Sequence, residues 1–202
     1  MTDDFDFNNA PTQRSFEVIP DGTIATLHVT VRPGGAGEGR WLTPSKANDS
    51  VGLDLEFTVV GGKYAKRKFW TRLTVAGDTP GHAEAASISR RLLRAMLESA
   101  RNIRPDDNSA AAMRARRVDG YGDFNNIRFV GRIGVQPPQN GYPAKNVLQE
   151  VITPDRADWR PVEQVVTPPS AATTPPAAPA MAAPTPQAAA PAGSIKRPAW
   201  AL

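Results

Sequence analysis

Cysteine is absent from the 202 residues, which excludes disulfide frameworks, thiolate nucleophiles and Cys-based zinc sites. Histidine is scarce: His28 and His82 are the two present, too few for most metal sites. No apolar run reaches signal or transmembrane length, and the opening Met1–Asn9 is acidic and polar, so a cytoplasmic protein without a membrane role is expected. No GxxxxGK[ST], HExxH or GxSxG pattern occurs, and Asp106 and Asp107 read as residues favouring a helix N-terminus. These absences predict a binding protein that needs neither catalytic machinery, metal nor cofactor. What is present is a modest basic excess, +4 overall, which matters for a polyanionic partner only if it gathers on one face.

From Thr167 to Leu202 the chain turns to proline and alanine, nine and thirteen of 36 residues, with no acidic side chain. Proline removes backbone donors and alanine buries little area, so such a segment cannot offset its conformational entropy and is expected to be disordered. Its end differs in composition. Ile195, Lys196, Arg197, Trp200 and Leu202 combine apolar anchors with two cations, the make-up of a short partner-binding motif. The expected organisation is an N-terminal arm over 1–20, a folded domain over 21–166 and the tail over 167–202.

Within the folded part, Thr23–Arg32 alternates Ala25, Leu27, Val29 and Val31 against Thr26, His28, Thr30 and Arg32, the mark of a half-buried strand. Val51–Val60 repeats the pattern, with Val51, Leu53, Leu55, Phe57 and Val59 facing inward. Gly61-Gly62 signals a hairpin into a third strand, roughly Ala65–Val75. One face of that strand reads Lys66, Lys68, Trp70, Arg72, Thr74: an aromatic ring among three cations. Ala83–Ala100 has helical spacing, with Ile88, Leu92, Leu93, Met96, Leu97 and Ala100 on one stripe. Pro105 opens a shorter helix through Arg117. Ile127–Val135, with Arg128 and Arg132 outward, and Lys145–Thr153 complete the strands, and Trp159 is expected to pack back on the domain.

Three consecutive strands, a helical insertion and two more strands predict a mainly β fold. Its arrangement is that of an OB-fold, a five-stranded, partly open Greek-key barrel, with the insertion between the third and fourth strands. Other open α+β sheets share this order. Such barrels bind oligonucleotides over strands two and three and the loops joining strands one to two and four to five. The Trp70 strand and the Arg40–Trp41–Lys46 loop both fall there.

Several stretches are familiar: DFDFNN at Asp4–Asn9, FEVIPDGT at Phe16–Thr23, GLDLEFTVVGGKYAKRKFWTRLTV at Gly52–Val75 and KNVLQEVITPD at Lys145–Asp155. Together they resemble a bacteriophage-encoded family similar to single-stranded DNA-binding proteins with an OB-type core, over about Asp4–Asp155. The resemblance implies a role in replication and recombination. The chain departs from bacterial single-stranded DNA-binding proteins at its end, where their tip is acidic and this one carries Lys196, Arg197 and Trp200. Its helical insertion is also larger than a minimal barrel needs.

Single strands are held by cations following the phosphates and aromatic rings stacking on bases. The stacking candidates are Trp41, Tyr64 and Trp70; the phosphate candidates are Arg40, Lys46, Lys63, Lys66, Lys68, Arg72, Arg128 and Arg132. The competing reading makes Trp70 a cover for the barrel rim, Tyr64 a packing residue and the cations a solvated face. Arg114, Arg116 and Arg117 form a second basic cluster, which either extends the path or solubilises a helix. The leading expectation is a sequence-nonspecific single-stranded DNA-binding protein that coats unwound DNA, self-associates and engages replication or recombination proteins through its tip. The alternatives are a protein-interaction module with no direct DNA role and a nuclease-associated recombination factor preferring duplex or RNA.

Overall fold

The computed structural model describes residues 8–12 and 17–164. The first acidic residues of the arm, the tail from Thr167 and the tip residues Ile195, Lys196, Arg197, Trp200 and Leu202 lie outside the described residues.

Alternating apolar side chains build β1 (Thr23–Arg32), β3 (Val51–Val59) and β4 (Lys68–Ala76), and a three-residue strand, β2 (Leu42–Pro44), joins them. Helices α1 (Pro80–Ala100) and α2 (Ala110–Ala115) follow, then β5 (Arg128–Gln136) and β6 (Lys145–Ile152). The six strands form one antiparallel sheet in the order β2-β3-β1-β5-β6, with β4 on the other edge of β3. Strands β1 and β2 lie end to end along β3: β1 pairs with its Asp54–Val59 part and β2 with Val51–Leu53. After the helical connection, β5 returns beside β1. The terminal strands β4 and β6 come alongside one another with no ladder between them, so the sheet is open.

The inward side chains make one core. Phe57, Leu27, Leu53, Leu55, Phe129 and Ile133 are fully buried, each such side chain contributing about 1.5–3 kcal/mol. Phe57 anchors it, with the Phe69 ring 5.2 Å away and tilted, and Phe129 edge-on at 5.8 Å. Helix α1 packs on β4, β5 and β6 through Leu93, Met96, Leu97 and Ala100. Its buried Ser99 Oγ accepts from Val130 N–H at 3.0 Å, and the Ser99 carbonyl accepts the Trp159 indole N–H at 3.2 Å. The 155–164 segment is thereby held over the end of the helix. No described helix is long and apolar enough to cross a membrane.

Several expectations are corrected. Strand β2 lies inside the expected Arg40–Trp41–Lys46 loop, because a ladder to β3 supplies partners that three residues could not provide locally. Helix α1 begins at Pro80, since the Thr79 hydroxyl caps it by accepting from His82 N–H and Pro at the first position needs no donor. Ile88, placed on the apolar stripe, is 53% exposed. The second helix is only Ala110–Ala115, capped by Ser109. Asp107, two residues before that cap, accepts from Ser109 N–H, and Asp106 pairs with Arg104. The arm does not extend to residue 20: Ile19 is 1% exposed in the core, and Asn146 brackets its backbone with two 2.8 Å hydrogen bonds.

Candidate functional site

Inward Phe69, Leu73 and Val75 place Lys68, Trp70 and Arg72 on the outer face of β4. Register then sets three rows across the sheet. Arg32 lies opposite Asp54 and Asp54 opposite Arg72; Thr30, Glu56 and Trp70 form the next row; His28, Thr58 and Lys68 form the third, which Arg128 extends onto β5. The indole at the centre is 57% exposed.

Beneath it lies a carboxylate. The Glu56 side chain is 7% exposed and accepts from Lys68 Nζ at 2.6 Å, Arg32 Nη1 at 2.9 Å and Trp70 Nε1 at 3.1 Å. The Trp70 indole is thus oriented by a hydrogen bond at its edge while its surface stays in solvent. One row away, Asp54 accepts from the Thr43 hydroxyl at 2.6 Å and lies 3.7 Å from Arg72, whose Nη2 donates to the Thr43 carbonyl at 2.6 Å. Arg72 reaches β2 by crossing Gly52, where a Cβ would sit 2.3 Å from its Nε. A cleft of about 610 Å³ opens beside Trp70, lined by Arg32, Gly34, Thr43, Asp54, Arg72 and Lys145 among others.

The Lys68 hydrogen bond is the largest influence holding the Glu56 carboxyl below the ordinary carboxylate range. Burial opposes it, and the Trp70 hydrogen bond and the charges of Lys68 and Arg32 add to it. A depressed folded-state pKa contributes stability that is fully present above the ordinary value and lost as pH falls through the depressed one. Glu56→Gln is therefore expected to be less stable than the parent at neutral pH, with the gap closing on acidification. Urea midpoints across pH 2–7 read this directly, and a constant gap overturns it. On the same face, burial above all holds the His28 imidazole below its usual pKa, helped by Arg128 and Lys68 and opposed by an Asn126 hydrogen bond.

The expected site residues divide. Lys68, Trp70 and Arg72 come together. Arg128 shares their face but is half-buried: its Nη1 donates to the Glu163 carbonyl, and its Nε is buried without a hydrogen-bond partner among the described residues. Arg132 is occupied by Glu150 and Asp158, both at 3.4 Å. Lys63, Tyr64 and Lys66 sit in the β3–β4 connection, where Tyr64 packs on the core and Lys63 Nζ lies 5.4 Å from its ring centroid. Arg40 and Lys46 are exposed in the β1–β2 and β2–β3 connections. Trp41 is partly buried against the core, away from the Trp70 cleft. In the second basic cluster, Arg116 donates to buried Glu98 at 2.8 Å and to the carbonyls of Asp107 and Arg104, an anchor for α2.

The cleft also holds Arg32 and Lys145, outside the set expected from sequence. Arg32 ends the outward set of β1, but its position over Glu56 depends on register. Tyr142, 74% exposed in the β5–β6 connection, follows a turn at Asn140-Gly141, both at positive φ. Among the described residues no group of three or more His, Asp or Glu side chains gathers as a metal site. What the arrangement offers is an exposed ring framed by cations on the outer face of a sheet. Compared with models of protein families the chain finds no match, and compared with curated proteins it finds none.

Proposed function

We propose that this chain is a sequence-nonspecific single-stranded DNA-binding protein with an OB-type core, coating unwound DNA in replication or recombination. The observation that carries the reading is Trp70: a ring more than half exposed at the centre of a sheet, oriented by Glu56 and framed by Arg32, Lys68 and Arg72. An exposed indole gains by stacking on a base, and stacking is tolerant of sequence because every base has a π-face. The Greek-key reading is supported by β5 returning beside β1 after two successive antiparallel pairings, β1 with β3 and β3 with β4, with β2 as an addition within the first connection. Titration with oligo-dT, duplex DNA and RNA tests the function. The expected result is quenching of tryptophan fluorescence and a salt-sensitive mobility shift, strongest with oligo-dT. Absence of binding to any nucleic acid overturns it in favour of a protein-interaction module.

A further inference from the structure

A second cavity, also about 610 Å³, lies between the turn at Glu38–Arg40 and the turn at Tyr121–Phe124. Its apolar wall includes Trp41, Tyr121 and Phe124; its polar lining is Glu38, Asp119 and Asp123, with no lysine or arginine. Both turns close on the indole through glycine: a Cβ would come within 2.6 Å of the Trp41 ring at Gly39 and 2.7 Å at Gly122. Asp123 accepts from Asp119 N–H at 2.7 Å, and none of the three carboxylates is in an ion pair among the described residues.

Three unpaired carboxylates around an aromatic wall repel a phosphate backbone and suit a peptide that combines cations with an apolar anchor. The chain itself contains such a segment outside the described residues: Ile195, Lys196, Arg197, Trp200 and Leu202, in a stretch from Thr167 onward without an acidic residue. We propose that this cavity receives the segment 195–202 of a neighbouring copy. The inference rests on the strand-coating reading for one thing, the neighbour: copies lined up on a strand stand side by side, where even a weak contact becomes effective and makes binding cooperative.

The contact can be tested without DNA, so its failure is distinguishable from a failure of oligo-dT binding. A labelled peptide of residues 194–202, added to the chain lacking 195–202, is expected to bind with a Kd on the order of 10–100 μM. Charge reversal by Glu38→Lys with Asp119→Lys is expected to weaken it by roughly tenfold or more. Both side chains are exposed, and an unchanged thermal midpoint verifies that the variant folds. The neighbour is tested by complementation in sedimentation equilibrium. The charge-reversed chain, which keeps its tip, is mixed with the tip-deleted chain, which keeps its cavity. The mixture is expected to associate while each alone does not. Peptide binding that is absent, or undiminished by charge reversal, overturns the proposal, as does a mixture no more associated than its components.

Discussion

Replacing Trp70 by alanine is expected to weaken oligo-dT binding by about 5- to 150-fold, one stacked base at ~1–3 kcal/mol, with little change in thermal stability. The two effects separate because of where the ring sits. More than half of the indole is already in solvent, so truncation removes little buried area. Glu56 loses one donor and keeps Lys68 and Arg32. Trp70→Phe sharpens the test: it keeps a stacking surface and loses the Nε1–Glu56 hydrogen bond. Its affinity is expected to lie between the parent and the alanine variant, measured by anisotropy of a labelled oligonucleotide. An alanine variant that binds as tightly as the parent would remove Trp70, and with it the main support for the DNA reading.

That Trp70 faces outward was legible because strand alternation is local: inward Phe69 and Leu73 leave no other side for it. Alternation likewise revealed β1, β3 and the inward set from Leu53 to Val59. Partners were not legible, because they are set by register between distant segments. Glu56 shows the difference. Alternation sends it outward, yet its side chain is only 7% exposed, because Arg32 from one neighbouring strand and Lys68 and Trp70 from the other close over it. The same blindness to pairing made the cations look equivalent. Arg132 and Arg72 read alike along the chain, but Glu150 and Asp158 occupy the first, while the second lies beside one carboxylate at 3.7 Å in an open cleft. Arg116 appeared as part of a surface cluster and is instead an interior anchor, since its partner Glu98 comes from another helix. Strand β2 was not legible, because three residues carry no periodicity.

The pairing of cations with carboxylates leads to the expected salt dependence. Arg32, Lys68, Arg72 and Lys145 are the cations around the Trp70 cleft, so at most four phosphates are neutralised there. Each single-strand contact contributes about −0.7 to the slope of log affinity against log salt, giving about −2.8 for four contacts and about −1.4 for two. Between 50 and 200 mM salt this corresponds to roughly 50-fold and roughly 7-fold losses of affinity. Glu56 holds two of the four cations and Asp54 lies beside a third, so the parent slope is expected within this range. Lys68→Ala with Arg72→Ala is expected to reduce the slope by about 1.4 if both residues meet phosphate. Arg132→Ala, whose charge is already committed to Glu150 and Asp158, is expected to leave it unchanged. Dissociation constants for oligo-dT across a salt series decide the matter. A slope that follows Arg132 and not Lys68 and Arg72 would move the phosphate path away from Trp70, to the β5–β6 side of the sheet.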